Sequence, residues 1–165
     1  MARKKKSNFL NQVIGVVLAV VIISYLGKQG VAVVTHHSGA PSASGPCSGL
    51  GSVPASEING AAQALGISCR IVRAQINEES GGQDETSPAG AEGVAQFEPY
   101  TWADQHCPGS VHNQADSMHC YVQYMGELIR QEGSVRDALA AYNAGSGNLG
   151  AGMGYADTIL AAAGQ

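Results

Sequence analysis

The chain predicts a mainly α domain behind an N-terminal segment of different character. Three observations carry this. From Pro54 onward the apolar residues recur with helical rather than two-residue spacing. Capping residue types precede these segments, and glycines follow them. No stretch alternates well enough to read as a strand.

The sequence divides into residues 1–30, a signal-anchor or signal peptide; 31–52, a linker; and 53–165, the folded domain. Arg3, Lys4, Lys5 and Lys6 precede an apolar run from Phe9 to Leu26 that only Asn11, Gln12 and Ser24 interrupt. Basic residues before an apolar run orient the N-terminus to the cytoplasm and send the downstream chain across the membrane. The strictly apolar part, Val13 to Ile23, has signal-peptide length, whereas the whole run approaches the ~20 residues that span hydrocarbon. Gly30-Val31-Ala32 is a weak cleavage site, which favours an anchor, and both fates stay open. Thr35 to Gly51 is rich in Ser, Gly, Ala and Pro and too poor in large apolar groups to pack.

Within the domain, Pro54 suits the first turn of a helix to Leu65, and Gly66 ends it. Ser68 caps a second helix through Glu79, with Ile71, Val72 and Ile76 on its apolar side, and Ser80-Gly81-Gly82 stops it. Residues 83–93 read as a loop, a short helix is expected from about Val94 to Pro99, and another turn of helix at 100–105. Asn113 caps the longest helix, to about Glu132. Its Met118, Tyr121, Val122, Met125, Leu128 and Ile129 form one core stripe, not a cofactor box. Ser134 and Asp137 make a capping box for Val135 to Ala144, which Gly145 ends. Tyr155 to Ala163 is the last expected helix.

Charge and cysteines restrict the function. Of nine basic residues, five lie in the first 30; the rest of the chain sets four arginines against all thirteen acids, a formal charge of −9. That excludes nucleic acid as a partner. It also excludes field attraction as the means of reaching an anionic wall or membrane. A tether or a specific cleft must do so instead. Four cysteines in an exported domain point to two disulfides. Of three possible pairings, Cys47–Cys69 with Cys107–Cys120 is favoured because each closes a short local loop. The cluster His106, Cys107, His112, His119 and Cys120 has no zinc-finger spacing, and an oxidising compartment would consume its thiols; no metal is expected.

The stretch Ile76-Asn77-Glu78-Glu79-Ser80-Gly81 places carboxyl groups in the last turn of an apolar helix, ahead of a Gly-rich loop that reaches Gln96. Lost hydration and the negative end of the helix dipole both favour a protonated carboxyl there, as a general acid requires. Periodicity does not choose between the two. Glu79 shares a face with Val72, Gln75 and Ile76, and Glu78 with Ile71, Ala74 and Gln75. On this ground alone both read as solvated residues at a helix end.

Four blocks in order resolve the choice: Glu79-Ser80; Ser87-x-x-Gly90-Ala91-x-Gly93-Val94-x-Gln96; Ala141-Tyr142-Asn143-Ala144-Gly145-x-Gly147; and Tyr155. Over about residues 66 to 160 the chain resembles the soluble lytic transglycosylase (SLT) family and its goose-type lysozyme relatives. The resemblance implies a small lysozyme-like helical domain with a substrate cleft, acting on peptidoglycan glycan strands without a cofactor. It places Glu79 as the single catalytic acid/base, with Ser80 beside it meeting the sugar. Gln96 would line the cleft, Tyr142 and Asn143 would face the saccharide, and Tyr155 would lie close to the acid. The family's usual Leu-Met is Val94-Ala95 here, and Phe97 follows the glutamine, which alters cleft shape more than chemistry.

Each of these residues also has a plainer role. Gln96 would satisfy backbone groups, and Tyr142 and Asn143 would pack a helix end. Trp102, with Tyr100, is a sugar-stacking platform or, preferably, core packing. Glycosidases usually pair two carboxylates, yet Asp84, Glu85, Glu92, Glu98 and Asp104 carry no motif and read as solvated or capping groups. A lone acid fits a substrate-assisted route to a 1,6-anhydro product. The alternatives are a hydrolytic muramidase on the same fold and a non-catalytic glycan-binding module. The latter would have proteins of an envelope-spanning secretion or conjugation machine as partners. The expected location is extracytoplasmic, on the bacterial membrane through the N-terminal segment or secreted to the wall.

Overall fold

The computed structural model describes residues 45–165; the expected anchor and most of the linker lie outside the described residues. Among the described residues six α-helices run in order: α1 (Ala55–Leu65), α2 (Cys69–Ser80), α3 (Pro99–Asp104), α4 (Gln114–Glu132), α5 (Val135–Ala144) and α6 (Leu149–Ala163). A 3₁₀ turn, Ser146–Asn148, leads into α6. Among the described residues there is no strand, only isolated bridges at Leu50–Val53, Thr86–Glu92 and Glu92–Phe97. None of the described helices is long and apolar enough to cross a membrane.

The helix starts follow their capping chemistry. The Ser68 hydroxyl accepts from the Arg70 amide. The Asn113 side chain accepts from Ala115 and Asp116 at 3.1 Å each. Ser134 accepts from the Asp137 amide and donates to the Asp137 carboxylate at 2.8 Å. Each satisfies a first-turn amide that has no partner within the helix. Gly66, Gly81 and Gly133 end α1, α2 and α4 in the left-handed conformation.

Two expected elements differ. The run from Val94 is not a helix but a tight turn, Gly93–Gln96, closed by reciprocal amide–carbonyl bonds between Glu92 and Phe97 at 2.9 Å. Pro99 starts α3 rather than ending a helix, in keeping with its fixed φ and missing amide proton. The last helix begins at Leu149, six residues before Tyr155. Gly152 permits close packing there: a Cβ on it would stand 2.1 Å from the Ala140 carbonyl oxygen of α5.

The core joins Ile58 of α1, Ile71, Val72 and Ile76 of α2, and Met118, Tyr121, Met125 and Leu128 of α4. Ala138–Ala141 of α5 and Ala156 and Ile159 of α6 complete it. Small residues on α5 and α6 let these helices approach closely, and α6 also packs along α2. That second contact sets Tyr155 of α6 against the end of α2. Disulfides Cys47–Cys69 and Cys107–Cys120 tie the entry strap to α2 and the post-α3 loop to α4. Trp102 lies edge-on to the buried Phe97 ring at 5.6 Å, the core-packing role, whereas Tyr100 is 80 % exposed.

Candidate active site

Glu79 is the penultimate residue of α2 and is half-buried, whereas Glu78 beside it is exposed. The difference has a geometric cause. The face of α2 that carries Val72, Gln75 and Ile76 is turned into the core, and Glu79, one turn beyond Gln75, follows it. Burial raises the Glu79 carboxyl from an ordinary 4.5 to about 7; the hydrogen bond from Tyr155 opposes this rise, and the neighbouring Glu78 charge adds to it. Near neutral pH the group therefore exchanges its proton readily, the condition for acid and base duty in one cycle.

Three tyrosines feel the charge of this carboxyl, and one of them bonds to it. The Tyr155 hydroxyl donates directly to Glu79 Oε1. Burial and the Glu79 charge hold the hydroxyls of Tyr121, Tyr142 and Tyr155 protonated well above the usual phenol range, so each serves as a neutral hydrogen-bonding group.

The residues expected to meet substrate have more specific places. Ser80 is 9 % exposed. Its hydroxyl donates to the Val94 carbonyl at 2.7 Å and accepts from the Gly82 amide at 3.1 Å. Its single proton is thus committed to that carbonyl. Tyr142 donates to the Ala95 carbonyl at 2.7 Å. Gln96 is half-buried in the left-handed region at φ +48°, and its amide donates to the Gly93 and Glu85 carbonyls at 2.9 and 3.1 Å. Ser80, Tyr142 and Gln96 therefore converge on one object, the turn Gly93–Gln96, and hold its backbone beside α2. Gly93 is required there. Its φ is +75°, and a Cβ would stand 2.3 Å from the Val111 carbonyl oxygen. Asn143 is exposed at the end of α5 and takes no part in these bonds.

Among possible second carboxyls, Asp84, Glu85, Glu98 and Asp104 are exposed and Glu92 is half-buried. Asp84 is bonded to His112 at 2.9 Å, linking two surface loops. Among the described residues no cluster of His, Cys, Asp and Glu has the geometry of a metal site.

Two residues beside Glu79 had no site role assigned from sequence: Gln75, noted only as sharing a helix face with the carboxyls, and Tyr121, read as core. Both are fully buried, and the Tyr121 hydroxyl donates to Gln75 Oε1 at 2.8 Å. The available signal was a long polar side chain on the apolar face of α2, one turn before Glu79.

In comparison with known families, the model of the transglycosylase SLT domain matches residues 56–159, which take in nearly all of α1, α2 to α5 and most of α6. SLT domains are lytic transglycosylases that act on peptidoglycan, and this chain belongs to the SLT family.

Proposed function

We propose that this protein is an exported lytic transglycosylase that cleaves the β-1,4 bond between N-acetylmuramic acid and N-acetylglucosamine, with Glu79 as its single acid and base. The observation that carries the reading is the half-buried Glu79 carboxyl, raised to about 7 and held by Tyr155. Protonated Glu79 gives its proton to the bridging oxygen as the glycosidic bond breaks. The 2-acetamido carbonyl of the muramic acid supports the positive anomeric carbon. Ionised Glu79 then removes the proton of the 6-hydroxyl, whose oxygen closes on the anomeric carbon as a 1,6-anhydro ring. The carboxyl ends protonated, as it began, and no water is consumed.

In this reading Ser80, Gln96 and Tyr142 act through the wall they build from the Gly93–Gln96 turn, and Asn143 offers a free amide to the saccharide. The two disulfides support an oxidising, extracytoplasmic location. The basic-then-apolar N-terminal run supports delivery across the membrane, by anchor or by signal.

The test is mass spectrometry of digested peptidoglycan with the native chain and Glu79→Gln. Anhydro-muramic ends are expected from the native chain, together with a loss on the order of 10²–10⁴-fold in rate for the variant. Reducing muramic ends would instead identify a hydrolase. Undiminished cleavage by the variant would remove Glu79 from the chemistry.

A further inference from the structure

The domain gathers positive charge in one place away from Glu79. Of its four arginines, Arg136 is paired with Asp157, and Arg130 stands in the last turn of α4. Arg70 and Arg73 stand together on α2, where Asn77 continues their face at helical spacing. Among the described residues neither has an ion-pair partner, and residues 1–44 contain no Asp or Glu that could supply one. The Arg73 Nε is buried and has no hydrogen-bond partner among the described residues. A buried donor left in this way costs free energy until an acceptor reaches it.

Two recesses meet at this pair. One lies between α2 and the end of α6, lined by the two arginines, Asn77 and the small residues Ala74 and Ala161–Gly164. The other lies between the same arginines and the strap Gly45–Ser48. Arg70 reaches across the first: a Cβ on Gly164 would stand 3.8 Å from its Nη1. The arginines are not needed to cap α6, since the Gly164 and Gln165 amides already bond the Ala161 and Leu160 carbonyls.

We infer that Arg70 and Arg73 form a second binding site, for the free carboxylate of a short peptide of small residues. On peptidoglycan this is the acidic, alanine-bearing peptide that the muramic acid carries, so the inference rests on the proposed action on that polymer. Three features select the ligand. Guanidiniums present paired donors that match a carboxylate. The wall of Ala74 and Ala161–Ala163 takes methyl groups, which a bare phosphate does not have. The chain beyond residue 30 carries a formal charge of −9, so an acidic peptide is received only where positive charge is local. The position also fits. Arg73 precedes Glu79 by six residues on α2, about 9 Å along the axis and about a third of a turn around it. A four-residue peptide extends to about 14 Å. A strand with its scissile bond at Glu79 can therefore rest its peptide on the arginines.

The test is calorimetric titration of the 165-residue chain with the soluble stem tetrapeptide that has alanine at both ends. Saturable binding is expected. Arg70→Gln and Arg73→Gln are each expected to weaken it by on the order of tenfold or more. Arg130→Gln, which removes the same charge elsewhere, is expected to leave it unchanged. The peptide with its carboxylates converted to amides is expected not to bind. In cleavage assays the native chain is expected to show a lower KM for peptide-bearing than for peptide-free strands, and Arg73→Gln to abolish that difference. Absence of saturable binding, or equal weakening by Arg130→Gln, overturns the inference. So does displacement of the peptide by an equal concentration of inorganic phosphate, or by phosphatidylglycerol vesicles, since either would mark a different ligand. If Arg73→Gln does not fold, the exposed Arg70 decides through Arg70→Gln. Failure of the Glu79 reading is separate, because calorimetry needs no cleavage and that failure would show as cleavage surviving Glu79→Gln.

Discussion

The raised Glu79 carboxyl must weaken the fold as it ionises, and the structure sets the size of that effect. Unfolded, the group titrates near 4.5; folded, it holds its proton to about 7. Below 4.5 both states are protonated, and the carboxyl's stabilising contribution is fully present. Between 4.5 and 7 the unfolded chain ionises while the folded one does not, so stability is lost as pH rises. Above 7 both are ionised and the loss is complete. The interval corresponds to about 3 kcal/mol. Glutamine at position 79 keeps the shape and an oxygen that accepts from Tyr155, but it does not titrate. Glu79→Gln is therefore expected to gain about 3 kcal/mol over the native chain between pH 4 and pH 8, which is on the order of 10 °C in melting temperature for a domain of this size. Urea or thermal unfolding of both chains at the two pH values measures it. A stability difference between the chains that stays constant with pH would refute the reasoning, because it would mean that the carboxyl is hydrated in the folded state.

The same contacts predict further outcomes. Tyr155→Phe removes the donor that favours ionised Glu79, so the basic limb of kcat/KM is expected to move upward by on the order of one pH unit; movement downward would contradict the assigned bond. Ser80→Ala leaves the Val94 carbonyl and the Gly82 amide without their shared partner. It is expected to destabilise the fold by about 1–3 kcal/mol in urea unfolding and to lower cleavage by loosening the Gly93–Gln96 turn. Gly93→Ala places a Cβ against the Val111 carbonyl in a left-handed backbone and is expected to destabilise by at least about 1–3 kcal/mol, read by thermal melting. Opening the Cys47–Cys69 bridge by paired serine substitution is expected to lower unfolding free energy by about 2–4 kcal/mol.

How much of this was legible in the sequence depended on how local each cause is. The α4 stripe and the Asn113 and Ser134 caps are set by residues within one or two turns of each other, so spacing alone reveals them. The turn at Val94 is different. Its residues are as apolar as a helix, and what holds the turn is Ser80, 14 residues away, and Tyr142, 47 residues from Ala95. Ser80, Gln96 and Tyr142 all stand out by motif, but which atoms their hydrogen bonds reach is not a property of the motif. The start of α6 is hidden because Gly150, Gly152 and Gly154 lower helix propensity, while the close approach of α5 that makes Gly152 necessary is invisible along the chain.

The amino-acid order by itself determined α1, α2, α4 and α5 with their ends, the division of charge between residues 1–30 and the rest of the chain, and the motif that singles out Glu79. Only the tertiary structure decided that Glu79 is half-buried and Glu78 exposed, and that a tyrosine 76 residues away donates to it. It also decided that the buried Gln75 and Tyr121 bond to each other. The physical reason is that hydration and hydrogen-bond direction depend on which surfaces exclude water from the carboxyl, and those surfaces come from α4, α5 and α6, which the chain brings to α2 only on folding.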